Sequence, residues 1–140
     1  MAKPIIYACS DSLGDTAERV ARAAACQYDK QEFDIVRMPY IRTEQQVEEI
    51  VQKAKEHSAM ICCTIISPTL RRKLQELSNA QNVTLVDIIG PMLAGVGTLT
   101  HTEPTMKPGM IHQLDEEYFK RVEAIEFAVK FDDGKIRWAS

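Results

Sequence analysis

Several things are scarce in this 140-residue chain. It has a single tryptophan, and aromatic residues make up only 6% of it. No apolar run approaches the roughly 20 residues that a membrane-spanning helix needs. No leading segment joins basic residues, a long apolar core and a small-residue cleavage site. The expectation is a cytoplasmic protein with no membrane partner. Excess positive charge is missing as well. Seventeen Lys and Arg against twenty Asp and Glu leave a net charge of −3, so nonspecific attraction to nucleic acid is a poor default.

Cysteine chemistry is equally thin. There are four cysteines and no C-x-x-C. Cys9, Cys62 and Cys63 fall in apolar runs that read as buried strands, and Cys26 closes an alanine-rich helical stretch. Adjacent strand residues point to opposite faces, so Cys62 and Cys63 form neither a chelate nor a disulfide. All four read as small buried hydrophobes. None of the histidines, His57, His101 and His112, has a partner at i+3 or i+4 that would suggest zinc. No metal site is expected. The spacings G-x-G-x-x-G, G-x-x-x-x-G-K-[ST] and G-x-S-x-G are all absent.

What is present is the material of one globular domain. Hydrophobic residues are 45% of the chain and charged residues 26%, and the length suffices to bury a core. Short apolar runs at 4–9 (PIIYAC), 33–38 (FDIVRM), 59–66 (AMICCTII) and 83–89 (VTLVDII) alternate with helical patterns. The first helix is expected to align Leu13, Ala17, Val20, Ala21, Ala24 and Tyr28 on one face. Thr43-Glu44-Gln45-Gln46 has the form of a capping box, and the helix it opens carries Val47, Ile50, Val51 and Ala54 in a stripe. Ser67-Pro68 supplies an N-cap and an N1 proline ahead of Leu70, Leu74 and Leu77. Gly90-Pro91 breaks the fourth run, and a shorter helix follows to about Leu99.

Strands that are continuous apolar runs rather than alternating patterns are covered on both faces. Four such strands separated by helices predict an α/β domain, a Rossmann-like four-stranded parallel sheet with flanking helices, over residues 1–100. Residues 101–140 read as a linker and a C-terminal helix. That helix begins near Asp115, repeats Tyr118, Val122, Ile125 and Val129, and stops at the Asp132-Asp133-Gly134 turn.

Ligands of open α/β sheets bind at the carboxyl ends of strands, and Ser10-Asp11-Ser12-Leu13-Gly14-Asp15-Thr16 occupies the first such end. Amides at a helix start attract anions. Ser10, Ser12 and Thr16 would add hydroxyls, and Gly14 would let the backbone approach a ligand. A purely structural account stands beside this one. Asp15-x-x-Glu18 is itself a capping box, and an aspartate near a helix start needs no ligand. The loop differs from a flavodoxin phosphate loop by one residue of spacing and two aspartates, and Tyr40 is the lone aromatic placed to stack a flavin. Flavin is not expected. Asp11 is the acid with no evident structural task, a candidate general base, Mg²⁺ ligand or hydrogen-bond acceptor. Asp87 would approach it only if their strand ends are neighbours. The plainer reading is that Asp11 and Asp87 each bind only nearby backbone amides. Arg71 and Arg72, near a helix start at the same sheet edge, either meet an anion or lie solvated. His112, close in sequence to Asp115, suits proton transfer or phosphate contact, or a local loop hydrogen bond.

Three segments, taken together, resemble a known family. Y-A-C-S-D-S-L-G-D-T-A-E near the start, V-D-I-I-G-P-M-L at 86–93 and K-P-G-M-I-H-Q-L-D-E-E-Y-F-K-R-V-E-A-I-E-F-A-V-K-F-D-D-G at 107–134 are similar, in that order, to blocks of the pyruvate, phosphate dikinase regulatory proteins. The resemblance implies a bifunctional regulator. Such proteins use ADP to phosphorylate a threonine of pyruvate, phosphate dikinase or phosphoenolpyruvate synthase. They also remove that phosphate with inorganic phosphate, releasing pyrophosphate. ADP, and Mg²⁺ with it, would be bound by a P-loop kinase domain expected after the D-D-G block, and the chain ends at Ser140 before reaching one. The 140 residues would then be an inactive N-terminal part with no cofactor of their own. Within the matching blocks the expected catalytic residue is Asp11. The expected phosphate-binding residues are Ser10, Ser12, Gly14 and Thr16, with His112 and Asp115 as further candidates. A homodimer is the default assembly. The alternative is a non-catalytic dimerisation or target-docking module whose loop only starts a helix.

Overall fold

A computed structural model describes residues 3–28 and 32–108. The chain divides into two units, Met1–Pro108 and Gly109–Ser140, and every described residue lies in the first. The helix expected from Asp115 lies outside the described residues. In chain order the elements are β1 (Ile5–Ser10), α1 (Asp15–Ala25), β2 (Asp34–Met38), α2 (Glu44–His57), β3 (Met60–Thr64), α3 (Pro68–Ala80), β4 (Leu85–Asp87) and α4 (Gly90–Thr100). The strands form one parallel sheet in the order β2-β1-β3-β4. The α/β architecture read from the sequence is the one that folds.

Period-2 alternation divides the sheet into two unequal faces. On one, Tyr7 and Cys9 of β1 and Ile61 and Cys63 of β3 meet Val47, Val51 and Ala54 of α2 and Leu70 and Leu74 of α3. On the other, the buried residues are Ile6, Ala8 and Cys62 with Ala17 and Ala21 of α1, and Phe33, Ile35, Met60 and Ile88 pack against them part-buried. Cys62 and Cys63 do point to opposite faces. Cys9, Cys62 and Cys63 are buried, but Cys26 is exposed at the end of α1, which corrects the reading of all four as core residues.

The inward stripe expected of α1 is also narrower than its periodicity suggested. Val20 remains 43% exposed, and Tyr28, beyond the helix end, 65%. A helix that seats two alanines on a sheet lies close to it, and its larger apolar side chains flank the contact rather than fill it.

The caps of α2 and α3 form as their sequences direct. Thr43 Oγ1 accepts from Gln46 N–H while the Gln46 side chain accepts from Thr43 N–H. Ser67 Oγ accepts from Leu70 N–H, with Pro68 at the first helical position. The capping box expected at Asp15 does not form. Gly14 is the N-cap, in the left-handed region at φ 87°, and Asp15 is the first residue of the helix. Glu18 turns away to Arg22 and Arg37 instead.

β4 is shorter than the apolar run 83–89. It lies at the sheet edge with β3 as its partner. Asn82 turns into it with φ 57°, and Asp87 ends it by accepting from Gly90 N–H at 2.9 Å. α4 carries no charged residue and buries none, leaving Met92, Val96 and Leu99 exposed.

Candidate functional site

In the order β2-β1-β3-β4 the chain leaves β1 toward one side and later returns to the other. The reversal falls between β1 and β3, and a crevice outside the carboxyl ends of those two strands is where such folds place ligands. A cleft of about 330 Å³ lies at this point, lined by Asp11, Ile41, Arg42, Ser67, Thr69 and Leu70, among others. Asp11 comes from the end of β1, Arg42 from the loop before α2, and the two hydroxyl residues from the start of α3.

Asp11 is 2% exposed. Its Oδ2 accepts from Ile66 N–H at 2.7 Å, in the loop after β3. A carboxylate accepting a backbone N–H is a charge-assisted bond of the stronger kind. Asp11 thus has a structural task that its sequence neighbourhood did not reveal, and it performs it from within the crevice.

The rest of the loop is tied inward. Ser10 is buried, and its Oγ accepts from Ser12 N–H at 3.0 Å. The Ser10 and Ser12 carbonyls accept from Ile41 and Tyr40 N–H, each at 2.9 Å. The loop after β1 and the loop after β2 are therefore laced together, with Tyr40 held at φ 57° and its side chain exposed.

Gly14 faces β2. A Cβ at this position would sit 2.8 Å from Arg37 Cγ, so the glycine serves both a left-handed turn and a close approach by Arg37. Arg37 Nε donates to Glu18 at 2.7 Å. Hydrogen bonds from Arg22 and Arg37 hold the Glu18 carboxyl below its ordinary range. Thr16 is half-buried within α1, and its hydroxyl has no hydrogen-bond partner among the described residues.

Of the loop residues singled out from the sequence, the structure brings Asp11 into the crevice. Ser10, Ser12, Gly14 and Thr16 are not among the residues that line it. His112 and Asp115 lie outside the described residues. Asp87 does not approach Asp11, because β3 stands between β1 and β4. Its carboxylate faces Gly90 N–H and Arg71 instead.

Arg42, Ser67 and Thr69 were missed as site residues. Ser67-Pro68 signalled only a helix start, and nothing local reports which strand ends become neighbours. Among the described residues no group of three or more His, Cys, Asp or Glu is placed to hold a metal ion. No helix there is long and apolar enough to cross a membrane.

Comparison with known proteins supplies the family. The family model described as kinase/pyrophosphorylase matches residues 6–139. A protein of Halalkalibacterium halodurans named as a pyruvate, phosphate dikinase regulatory protein is 46% identical over 133 residues, 95% of this chain and 49% of the relative. One of Carboxydothermus hydrogenoformans, of the same name, is 46% identical over 132 residues, 94% of this chain and 48% of the relative. One of Staphylococcus carnosus, again of that name, is 41% identical over 138 residues, 96% and 50% of the two chains. The chain spans about half the length of these curated relatives. With a family match running across nearly all of its residues, the chain belongs to the kinase/pyrophosphorylase family.

Proposed function

We propose that this chain is the N-terminal half of a bifunctional regulator of pyruvate, phosphate dikinase. In this reading the whole protein transfers phosphate from ADP to a threonine of its target, and removes it with inorganic phosphate as acceptor, releasing pyrophosphate. The observation that carries the reading is the family match over residues 6–139, together with the name its relatives bear.

In this reading the nucleotide site lies outside this chain. The chain has neither Gly-rich phosphate-loop spacing, and the crevice at the β1–β3 reversal is lined by Ile41 and Leu70 beside its polar groups. ADP is therefore assigned to the part of the relatives that this chain does not span. A lone carboxylate with one oxygen engaged likewise gives no ground for routing a step through Mg²⁺ here.

Phosphoryl transfer asks a protein for positioning and charge stabilisation more than for covalent chemistry. In this half, Asp11 holds the loop after β3 in place, and Arg42 supplies a cation beside the Ser67 and Thr69 hydroxyls. The role we assign to the crevice is to orient a phosphoryl-bearing or hydroxyl-bearing group of the target.

A second reading is favoured by a specific observation. Asp11 and Ser10 both spend their side chains on backbone N–H groups, as they would in a docking module whose loop is only structural. Asp11→Asn in the full-length protein separates the two. Loss of both phosphorylation and dephosphorylation with binding to the dikinase retained supports a role at the reacting groups. Both activities intact would establish the docking module. Phosphorylation of the dikinase from ADP by the 140 residues alone would overturn the division of labour.

A further inference from the structure

A second cleft, of about 670 Å³, lies between α3, α4 and the segment that follows α4. Its lining includes Arg71, Leu93, Ala94, Thr98, His101 and Glu103, and it shares no residue with the Asp11 crevice.

Arg71 is the feature that needs explaining. A guanidinium carries five N–H donors and no acceptor. The Arg71 side chain is only 21% exposed, and its Nε is buried with no hydrogen-bond partner. Its ion-pair partner, Asp87, lies 3.7 Å away from Nη1, too far for a hydrogen bond. Asp87 is itself committed, accepting from Gly90 N–H at 2.9 Å.

The arrangement is built rather than incidental. A Cβ at Gly90 would lie 2.0 Å from Asp87 Oδ2 and 2.6 Å from Arg71 Nη1. The absence of a side chain at that position is what lets the pair sit against the first turn of α4. Asp87 compensates the charge of Arg71 without satisfying its donors. Buried donors are almost always satisfied in folded proteins. A guanidinium with donors to spare, at the wall of a cleft, matches the fork geometry of an oxyanion.

The rest of the lining narrows the class. The volume is that of a small-molecule site. Leu93 and Ala94 offer an apolar wall, and exposed Glu103 at the rim disfavours a polyanion. We propose that this cleft binds a small organic phosphate monoester, its phosphate on Arg71 and its apolar body along α4. The proposal does not depend on the function assigned above, since it concerns a different cleft.

The test follows the Arg71 Nε–H signal of the ¹⁵N-labelled 140-residue chain by NMR during titration with phenyl phosphate, inorganic phosphate and phenol. Saturable shifts with phenyl phosphate, at least tenfold weaker binding of inorganic phosphate and no response to phenol are expected. Arg71→Met, followed through the α4 backbone amides, should weaken phenyl phosphate binding by at least tenfold, while Arg72→Met leaves it unchanged. Ala94→Trp narrows the cleft from an exposed helix position without touching the Arg71–Asp87 pair. It should also abolish binding, and it serves if Arg71→Met does not fold. The proposal is overturned by absence of saturation up to about 10 mM phenyl phosphate, by equal affinity for inorganic phosphate, or by undiminished binding in a folded Arg71→Met or Ala94→Trp protein.

Discussion

The carboxylate of Asp11, the residue directly after β1, accepts a hydrogen bond at 2.7 Å from the backbone N–H of Ile66, 55 positions later in the loop that follows β3. One side chain thus joins the two parallel strand ends between which the strand order reverses, and it forms part of the crevice at that point.

That bond sets a stability expectation separate from any role in the reaction. Asp11→Ala leaves the Ile66 N–H without its acceptor at a site where Asp11 is 2% exposed, and the loss should be about 1.5–3 kcal/mol in urea unfolding. Asp11→Asn keeps an acceptor oxygen and should lose less than half as much. Equal stability of the alanine variant and the parent chain would show that the bond contributes nothing net.

Gly14 should resist substitution for two reasons that can be separated. At φ 87° an alanine is strained, by about 1–2 kcal/mol, and its Cβ would meet Arg37 Cγ at 2.8 Å. Gly14→Ala should therefore cost less in an Arg37→Ala background, where the steric part is gone and only the backbone part remains. Strict additivity in thermal or urea unfolding would mean that Arg37 yields freely.

Acid should weaken the tie between α1 and β2. Hydrogen bonds from Arg22 and Arg37 lower the Glu18 carboxyl in the folded state. The unfolded chain therefore takes up a proton at higher pH than the folded one does. The contribution of Glu18 is present above its unfolded value of about 4.3, and is lost as pH falls from there through the depressed folded value. Glu18→Gln should lower stability at neutral pH by that contribution, flatten the acid part of the stability-against-pH curve and converge with the parent chain at low pH. A curve of the same shape in both proteins would show that the pair is not linked to folding.

The thiols should divide three to one. Burial raises Cys9 well above its ordinary value, pushes Cys62 up to about 11, and Cys63 up to about 12, with Asp87 adding to the last. Cys26 is exposed. Since the thiolate is the reactive form, native protein at about pH 8 should release one equivalent in a disulfide-exchange assay, and Cys26→Ser should release none until denaturant is added. Rapid reaction of a second thiol in the native state would show that the β1–β3 core opens readily.

Much of the fold was legible along the chain because its causes are local. The caps at Thr43 and Ser67 rest on residues within one helical turn of each other, and the four apolar runs announce buried parallel strands without reference to anything distant. The narrower stripe of α1 and the short β4 were not legible. How far a helix sinks onto a sheet, and which strand ends up at the edge, depend on neighbours elsewhere in the chain.

The site divides along the same line. Its position at the ends of strands followed from the alternation of strand and helix, and Asp11 stood out because no residue near it in sequence gave it a partner. That partner is Ile66, and only the placement of β3 beside β1 brings the two together. The same placement sets β3 between Asp11 and Asp87, turns Asp87 toward Arg71, and gathers Arg42, Ser67 and Thr69 around the crevice. Secondary structure arises from spacings of two to four residues, which a sequence displays directly. Strand order is decided by which long-range packing buries the most apolar surface, and that is settled only when the chain folds.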